Sequence, residues 1–215
     1  MGSGFQTPIT IKNAIDKIHQ REFLIPAIQR KFVWKSYQIE MLFDSILRGY
    51  PINSFMFWKI SDPEIKSGFK FYEFLTEFRE RYSENNKDIN TVAVNDFFAI
   101  IDGQQRLTSL YIGLRGSYAY KISRKWWAND EESLPTRHLY LNLSKQVDQQ
   151  YDNQKMYDFR FLCENDLAKL KNTGEFWFKV GDILDIDETN KVIAYLSKNN
   201  LNTCPYAVET LSKLY

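Results

Sequence analysis

The sequence predicts an α+β fold, a small mixed sheet flanked by helices. Three observations lead there. Apolar residues recur at helical spacing over Ile11–Ile18 and again over Ile39–Leu47. Short apolar or alternating runs at Ile52–Ile60, Phe97–Ile101 and Arg137–Leu143 read as strands. No internal repeat or low-complexity tract interrupts them. With 215 residues, 44% hydrophobic and 26% charged, the chain can build a sizeable core.

Residues 1–9 read as a flexible lead, and residues 10–215 as one domain. Thr10 caps a helix whose one face holds Ile11, Ala14, Ile15 and Ile18. In "EFLIPAIQRKFVW", Pro26 forbids a helix, so extended chain with a break is expected. Ser36 opens an amphipathic helix, which ends at Arg48, Gly49 and Pro51. "INSFMFWKI" reads as a strand and "SDPEIKSG" as a loop. "FKFYEFLTEFRERYSENNKDIN" is ambiguous at its start, then reads as a helix ending in a polar loop.

"VNDFFAIID" is a second strong strand, and a helix follows from about Gln105 to Leu114. "RHLYLNL", "MYDFRFLC" and "FWFKVGDIL" supply further strands, and Asp187 precedes a short helix around Val192–Leu196. "VETLSKLY" reads as an amphipathic helix with no polar tail, which suggests the front part of a longer protein.

A net charge of +1 gives no global basic field, so any nucleic-acid contact has to be local. Cys163 and Cys204 are too few and too far apart for a metal knuckle, and read as reduced core thiols. No apolar run reaches the ~18 residues of a membrane span, and the N-terminus lacks a signal-peptide pattern. A cytoplasmic protein with no membrane partner is the expectation.

Two polar constellations stand out. In "FFAIIDGQQRLTSLYIGL", Asp102, Gly103, Gln104, Gln105 and Arg106 lie at a strand-to-helix seam. Gly103 permits a sharp turn, the helix start offers unpaired N–H groups, and Arg106 brings a fork suited to phosphate. Thr108 and Ser109 are placed to donate from the first turns. Asp102 can hold Mg²⁺, order the arginine, position a water or simply cap the helix. A plainer reading of the seam is a capped helix with Arg106 paired to a carboxylate. The pattern is neither a Walker loop nor a dinucleotide fingerprint.

In "IPAIQRKFVW", Gln29, Arg30 and Lys31 interrupt an apolar surround, so Arg30 needs an anion or an internal carboxylate. Lys121, Arg124, Lys125, Trp126 and Trp127 form a basic–aromatic patch that could stack on bases or pack against protein. His19 reads as solvated, and His138 with Arg137 as facing solvent. Asp182, Asp185, Asp187 and Glu188 read as a solvated acidic face.

"IPAIQRKFVW", "QIEMLFDSILRGYPI" and "IDGQQRLTSLY", in that order, resemble the N-terminal domain of GmrSD-type restriction proteins. That family is marked by its DGQQR motif and is similar in fold to ParB and sulfiredoxin. The resemblance covers about Thr10 to Tyr111, and more loosely "HLYLNL" and "FWFKVGDIL". It implies a nucleotide-binding, often nucleotide-hydrolysing domain in prokaryotic defence against phage or foreign, often modified, DNA. By motif match, Asp102, Gly103, Gln104, Gln105 and Arg106 line the nucleotide site, with Gln29 and Arg30 opposite.

The usual partner in the family is a C-terminal His-Me-finger nuclease domain, whose histidine motif this chain lacks. The segment 61–91 has no counterpart that the resemblance explains.

Two expectations follow. The first is an Mg²⁺-assisted NTPase. Arg30 and Arg106 hold the phosphates, Asp102 holds metal or orients water, and Gln104 or Gln105 positions the attacking water or reads the nucleotide. The second is a non-catalytic sensor of modified DNA, contacting it through Arg30, Lys31 and the Lys121–Trp127 patch. A sulfiredoxin-like redox role fits poorly, because neither cysteine lies near the Gln-Arg motifs in sequence.

Overall fold

A computed structural model describes residues 7–92, 94–147 and 155–215. The N-terminal lead thus lies mostly outside the described residues. Helix α1 (Ile11–His19) is capped as its sequence demands: the Thr10 hydroxyl accepts the Asn13 N–H at 3.1 Å. Its face of Ala14, Ile15 and Ile18 is buried. Strand β1 (Phe23–Pro26) follows, then a turn, then α2 (Ser36–Leu47). Gly49 takes φ +82° just past α2, which closes the helix as a C′ glycine does.

Strand β2 (Met56–Ile60) is shorter than the run that predicts it. The next segment departs from its sequence reading. "SDPEIKSG" contains a helix, α3 (Pro63–Gly68), with Asp62 accepting the Glu64 N–H at 2.8 Å and proline at the first position. The long stretch after it holds three short strands in place of a helix: β3 (Phe71–Tyr72), β4 (Glu77–Arg79) and β5 (Asp88–Ile89). So 61–91 is integral to the fold, and β3 and β5 complete the edge of the first sheet.

Strand β6 (Phe97–Asp102) leads into α4 (Gln104–Arg115). Beyond it come β7 (Ser117–Ala119), β8 (Thr136–Asn142), β9 (Phe159–Leu162), α5 (Glu164–Lys171) and β10 (Trp177–Lys179). A 3₁₀ turn (Val180–Asp185), α6 (Thr189–Lys198) and α7 (Pro205–Leu214) end the chain. Arg137 is buried on β8, contrary to the expectation of a solvent-facing side chain. It donates to the carbonyls of Tyr120 and Pro135 at 2.9 and 3.1 Å and lies over the Tyr120 ring.

The strands form two sheets. The first runs β2-β6-β1-β3-β5, and in the second β8 carries β7, β9 and β10, with β4 outside β7. Within the first sheet β1 and β6 run parallel, with Phe23 opposite Phe98 and Leu24 opposite Ala99. The sides of β1 alternate as a buried strand requires. Phe23 and Ile25 join the main core, and Leu24 joins a smaller one with Ile60, Phe71, Phe97 and Ala99. Helix α4 is buried on nearly every side, so it is the central element of the main core.

Several carboxylates are tied to lysines. The hydrogen bond from the Lys66 ammonium holds the Asp96 carboxyl below its ordinary range, partial burial opposing and Lys59 adding to the effect. Lys145 acts likewise on Glu175, and Lys191 on Asp187. A lowered carboxylate binds fewer protons folded than unfolded. Its contribution is complete above the unfolded value and is lost as pH falls through the folded one. Thermal stability is therefore expected to hold near neutrality and to fall on acidification below about pH 4.5. A melting series followed by circular dichroism checks this, and Asp96→Asn should show a shallower acid loss.

Candidate functional site at the β1 and β6 ends

Because β1 and β6 are parallel neighbours, their carboxyl ends open on the same side of the sheet. Ligands of open α/β sheets lie outside such ends. The chain leaves β1 through Pro26, with the Gln29 N–H turning back to the Pro26 carbonyl at 3.0 Å. It leaves β6 at Asp102 and turns at Gly103. Here φ is +90°, and an added Cβ would lie 2.2 Å from Phe55 Cδ1. Only glycine fits both conditions.

The two motifs, far apart in sequence, thereby share one cavity of ≈ 260 Å³. Gln29, Arg30, Asp102, Gly103, Gln104, Gln105 and Arg106 line it together with Trp34. The first helical bond of α4 runs from the Leu107 N–H to the Gly103 carbonyl at 3.0 Å. The amides of Gln104, Gln105 and Arg106 precede it and have no acceptor inside the helix.

Hydrogen bonding divides these residues by task. Gln105 is a strut. Its Oε1 accepts the Val33 N–H at 3.0 Å, and its Nε2 donates to the Lys31 carbonyl at 3.0 Å. That amide pairs with the backbone after β1 much as a neighbouring strand would. Gln29 Nε2 donates to the Ile101 carbonyl at 2.8 Å, tying the first motif to the end of β6.

Arg106 is held on three sides. It donates to the Ile52 carbonyl and to Asp102 Oδ2 at 3.3 Å, and its guanidinium lies 4.7 Å from the centre of the Phe55 ring. The plainer reading of the seam, Arg106 paired with a carboxylate, is thus part of the geometry. Asp102 itself is 69% exposed, while Arg106 is 19% exposed.

Arg30 differs from all of these. It is exposed, lines the cavity, and has no hydrogen bond, ion pair or ring contact among the described residues. The expected internal ion pair of Arg30 is not formed there. Gln104 is buried at the cavity wall.

Thr108 and Ser109, expected as phosphate donors, are fully buried, and their hydroxyls have no hydrogen-bond partner among the described residues. They belong to the closed interior of α4 and do not line the cavity. Lys31 is exposed beside the site, where its carbonyl serves Gln105. Phe55, which no motif marked, is the ring against which both Gly103 and Arg106 are fitted. Its signal was its place in an aromatic strand run, which does not separate it from Phe57.

The Lys121–Trp127 patch lies on another loop, and that loop uses its own cations. Lys121 Nζ donates to the carbonyls of Ile122 and Lys125, and Lys125 pairs with Glu132 at 2.6 Å. The Trp127 ring sits beneath Arg81, 4.4 Å from its centroid, and is also met by Lys121. Arg124 is exposed without a partner among the described residues, and Trp126 is 91% exposed. Of the three cations of this patch only Lys125 meets a carboxylate, while Lys121 is turned to backbone carbonyls of its own loop.

Both cysteines are free, as expected. Among the described residues no helix is long and apolar enough to cross a membrane, and no three His, Cys, Asp or Glu side chains gather as metal ligands.

Over 169 residues the chain is 27% identical to the uncharacterized protein MJ0686 of Methanocaldococcus jannaschii, covering 77% of this chain and 26% of that protein. The chain therefore spans about a quarter of that relative's length. The family model for the GmrSD restriction endonuclease N-terminal domain matches residues 11–213, taking in both walls of the cavity and both sheets, and the chain belongs to that family.

Proposed function

We propose that this domain binds the phosphates of a nucleoside triphosphate at the start of α4 and hydrolyses it in the service of a restriction system acting on modified DNA. One observation carries the reading: Arg30, free of any protein partner among the described residues, shares a cavity with a helix start whose amides await an acceptor. An anion satisfies both. Arg106, already oriented by Asp102, Ile52 and Phe55, gives the second cation. Preorganised cations of this kind stabilise charge developing in phosphoryl transfer.

Gln104 orients the attacking water or the nucleotide, and Gln105 holds the two walls together. Mg²⁺ fits only in the company of phosphate oxygens and water, since Asp102 is a single carboxylate. Asp102 would hold it through the oxygen not engaged with Arg106, and the ion would neutralise phosphate charge. DNA cleavage is then the task of a His-Me-finger nuclease domain elsewhere in a longer protein or in a separate subunit.

Calorimetry against the four NTPs with Mg²⁺ tests this. Arg30→Ala is expected to weaken binding by about tenfold to a hundredfold, the worth of a charge-assisted hydrogen bond. Asp102→Ala should still bind and lose hydrolysis. Equal background phosphate release by wild type and Asp102→Ala sinks the catalytic part.

A second reading has its own support. The ≈ 260 Å³ cavity is smaller than the roughly 300–1,000 Å³ typical of small-molecule sites. It suits one phosphodiester of DNA, with Lys31 beside it. On this reading the domain senses modified DNA without catalysis, and its binding falls with salt and prefers a modified duplex. Equal affinity for modified and plain DNA rules the sensor out.

A further inference from the structure

Trp34 lines the cavity at the start of α4, and neither reading above gives its side chain a task. Its indole is half-buried and packs in part against the main core. It has no ring, cation or side-chain hydrogen-bond partner among the described residues. Other rings are taken: Phe55 lies against Arg106, Trp127 against Arg81 and Trp177 against Arg160.

The backbone under this ring is held at three consecutive residues. The Val33 N–H donates to Gln105 Oε1 at 3.0 Å. The Trp34 carbonyl accepts the Tyr118 hydroxyl at 3.1 Å. The Lys35 N–H donates to Gln38 Oε1 at 2.9 Å. The indole is thus a flat apolar surface on a backbone fixed before any ligand arrives, which lowers the ordering cost of using it.

A second observation points to a ligand in the same cavity. Gln104 is 4% exposed and lines it, and the side-chain amide has no hydrogen-bond partner among the described residues. A buried amide left unpaired is unfavourable. It offers both donors and an acceptor, so phosphate oxygens serve its NH₂ and an O–H or N–H serves its carbonyl. A nucleoside phosphate brings both kinds of group. A cavity of ≈ 260 Å³ takes a phosphate chain more readily than a whole nucleotide, which leaves the base at its mouth.

We infer that the Trp34 indole is the platform on which the base of the bound nucleotide stacks, while Arg30 and the first amides of α4 take the phosphates. The inference rests on the nucleotide reading of this site and goes one step beyond it. The ligand is gripped at both ends, as a nucleoside phosphate and not as a bare polyphosphate. Stacking of this kind tolerates every base, because each has a π face.

The test is calorimetry with the four NTPs and with inorganic tripolyphosphate, each with Mg²⁺. Trp34→Leu keeps apolar bulk against the core and loses the stack. It should weaken every nucleotide by about fivefold to a hundredfold, the range for one base–aromatic stack, and leave tripolyphosphate unchanged. Trp34→Phe keeps a ring and should retain most of the affinity, whereas Arg30→Ala should weaken both ligands. Nucleotide, and not tripolyphosphate, should change the tryptophan fluorescence, and that change should vanish in Trp34→Phe. Thermal denaturation confirms that the variants are folded, and if Trp34→Leu is not, the fluorescence comparison decides. Unchanged nucleotide affinity in Trp34→Leu, equal losses for nucleotide and tripolyphosphate, or a fluorescence change that survives in Trp34→Phe overturns the platform and leaves the nucleotide reading standing. Wild-type protein that binds no nucleotide overturns that reading and the platform with it.

Discussion

Gly103→Ala is expected to destabilise the protein by about 2–4 kcal/mol and to remove nucleotide binding. Two separate costs combine. A residue with a Cβ at φ +90° is strained by roughly 1–3 kcal/mol. The new methyl also lands 2.2 Å from Phe55 Cδ1 and 2.8 Å from Cε1, so the ring has to leave. Phe55 is the surface on which the Arg106 guanidinium lies, and its displacement unseats a cation of the site. Urea unfolding and calorimetry with NTP measure the two effects. The double variant Gly103→Ala/Phe55→Ala separates them: the steric part should disappear and the backbone part persist. Wild-type stability and affinity in Gly103→Ala would mean that the turn and the Phe55–Arg106 stack do not shape the site.

The same residues show what the sequence could and could not disclose. Gly103 was legible, because a glycine between a buried strand and a helix has few other uses. The helical faces of α1 and α2 were legible for the same local reason, and both are buried as their spacing requires. Convergence of the two motifs was not local. It depends on β1 and β6 being parallel neighbours, which is a property of topology. Nor could an amide announce its task, since Gln105 reads equally as a catalytic group or a strut until its two backbone partners are known.

The region after β2 misled for a definite reason. Phe71, Phe74, Leu75 and Phe78 recur at i, i+3, i+4 and i+7, the spacing of an apolar helix face. The chain divides them between two cores: Phe71 enters the small one, and the other three enter the main one. One helix face cannot serve two cores on opposite sides of a sheet, so short strands replace it. Arg137 was misjudged in the other direction. Strand alternation puts it on the face of Leu139 and Leu141, both buried. Charge suggested solvent, but carbonyls and the Tyr120 ring offer a substitute for water.

Asp44→Ala is expected to cost about 3–5 kcal/mol, the range for breaking a buried charged network. Asp44 lies on α2 and is fully buried. Its Oδ1 accepts the N–H groups of Met156 and Tyr157 at 2.9 and 2.8 Å, and its Oδ2 meets Arg48 at 3.2 Å. One turn earlier, Glu40 accepts the Phe161 N–H at 3.1 Å and pairs with Lys155 at 3.0 Å. The helix thereby fastens the chain that enters β9. Alanine leaves two backbone donors without their acceptor, each costing roughly 1–3 kcal/mol when buried. Asparagine keeps one acceptor oxygen and should fall between, while Glu40→Gln, at a partly exposed site, should cost less than Asp44→Ala. Urea unfolding ranks the three variants. Nucleotide affinity, measured well below the transition, should be unchanged in each, because α2 supports the second sheet through these bonds and contributes no side chain to the cavity at the start of α4. A loss below about 1 kcal/mol in Asp44→Ala would mean that the segment around Met156 finds its stability elsewhere.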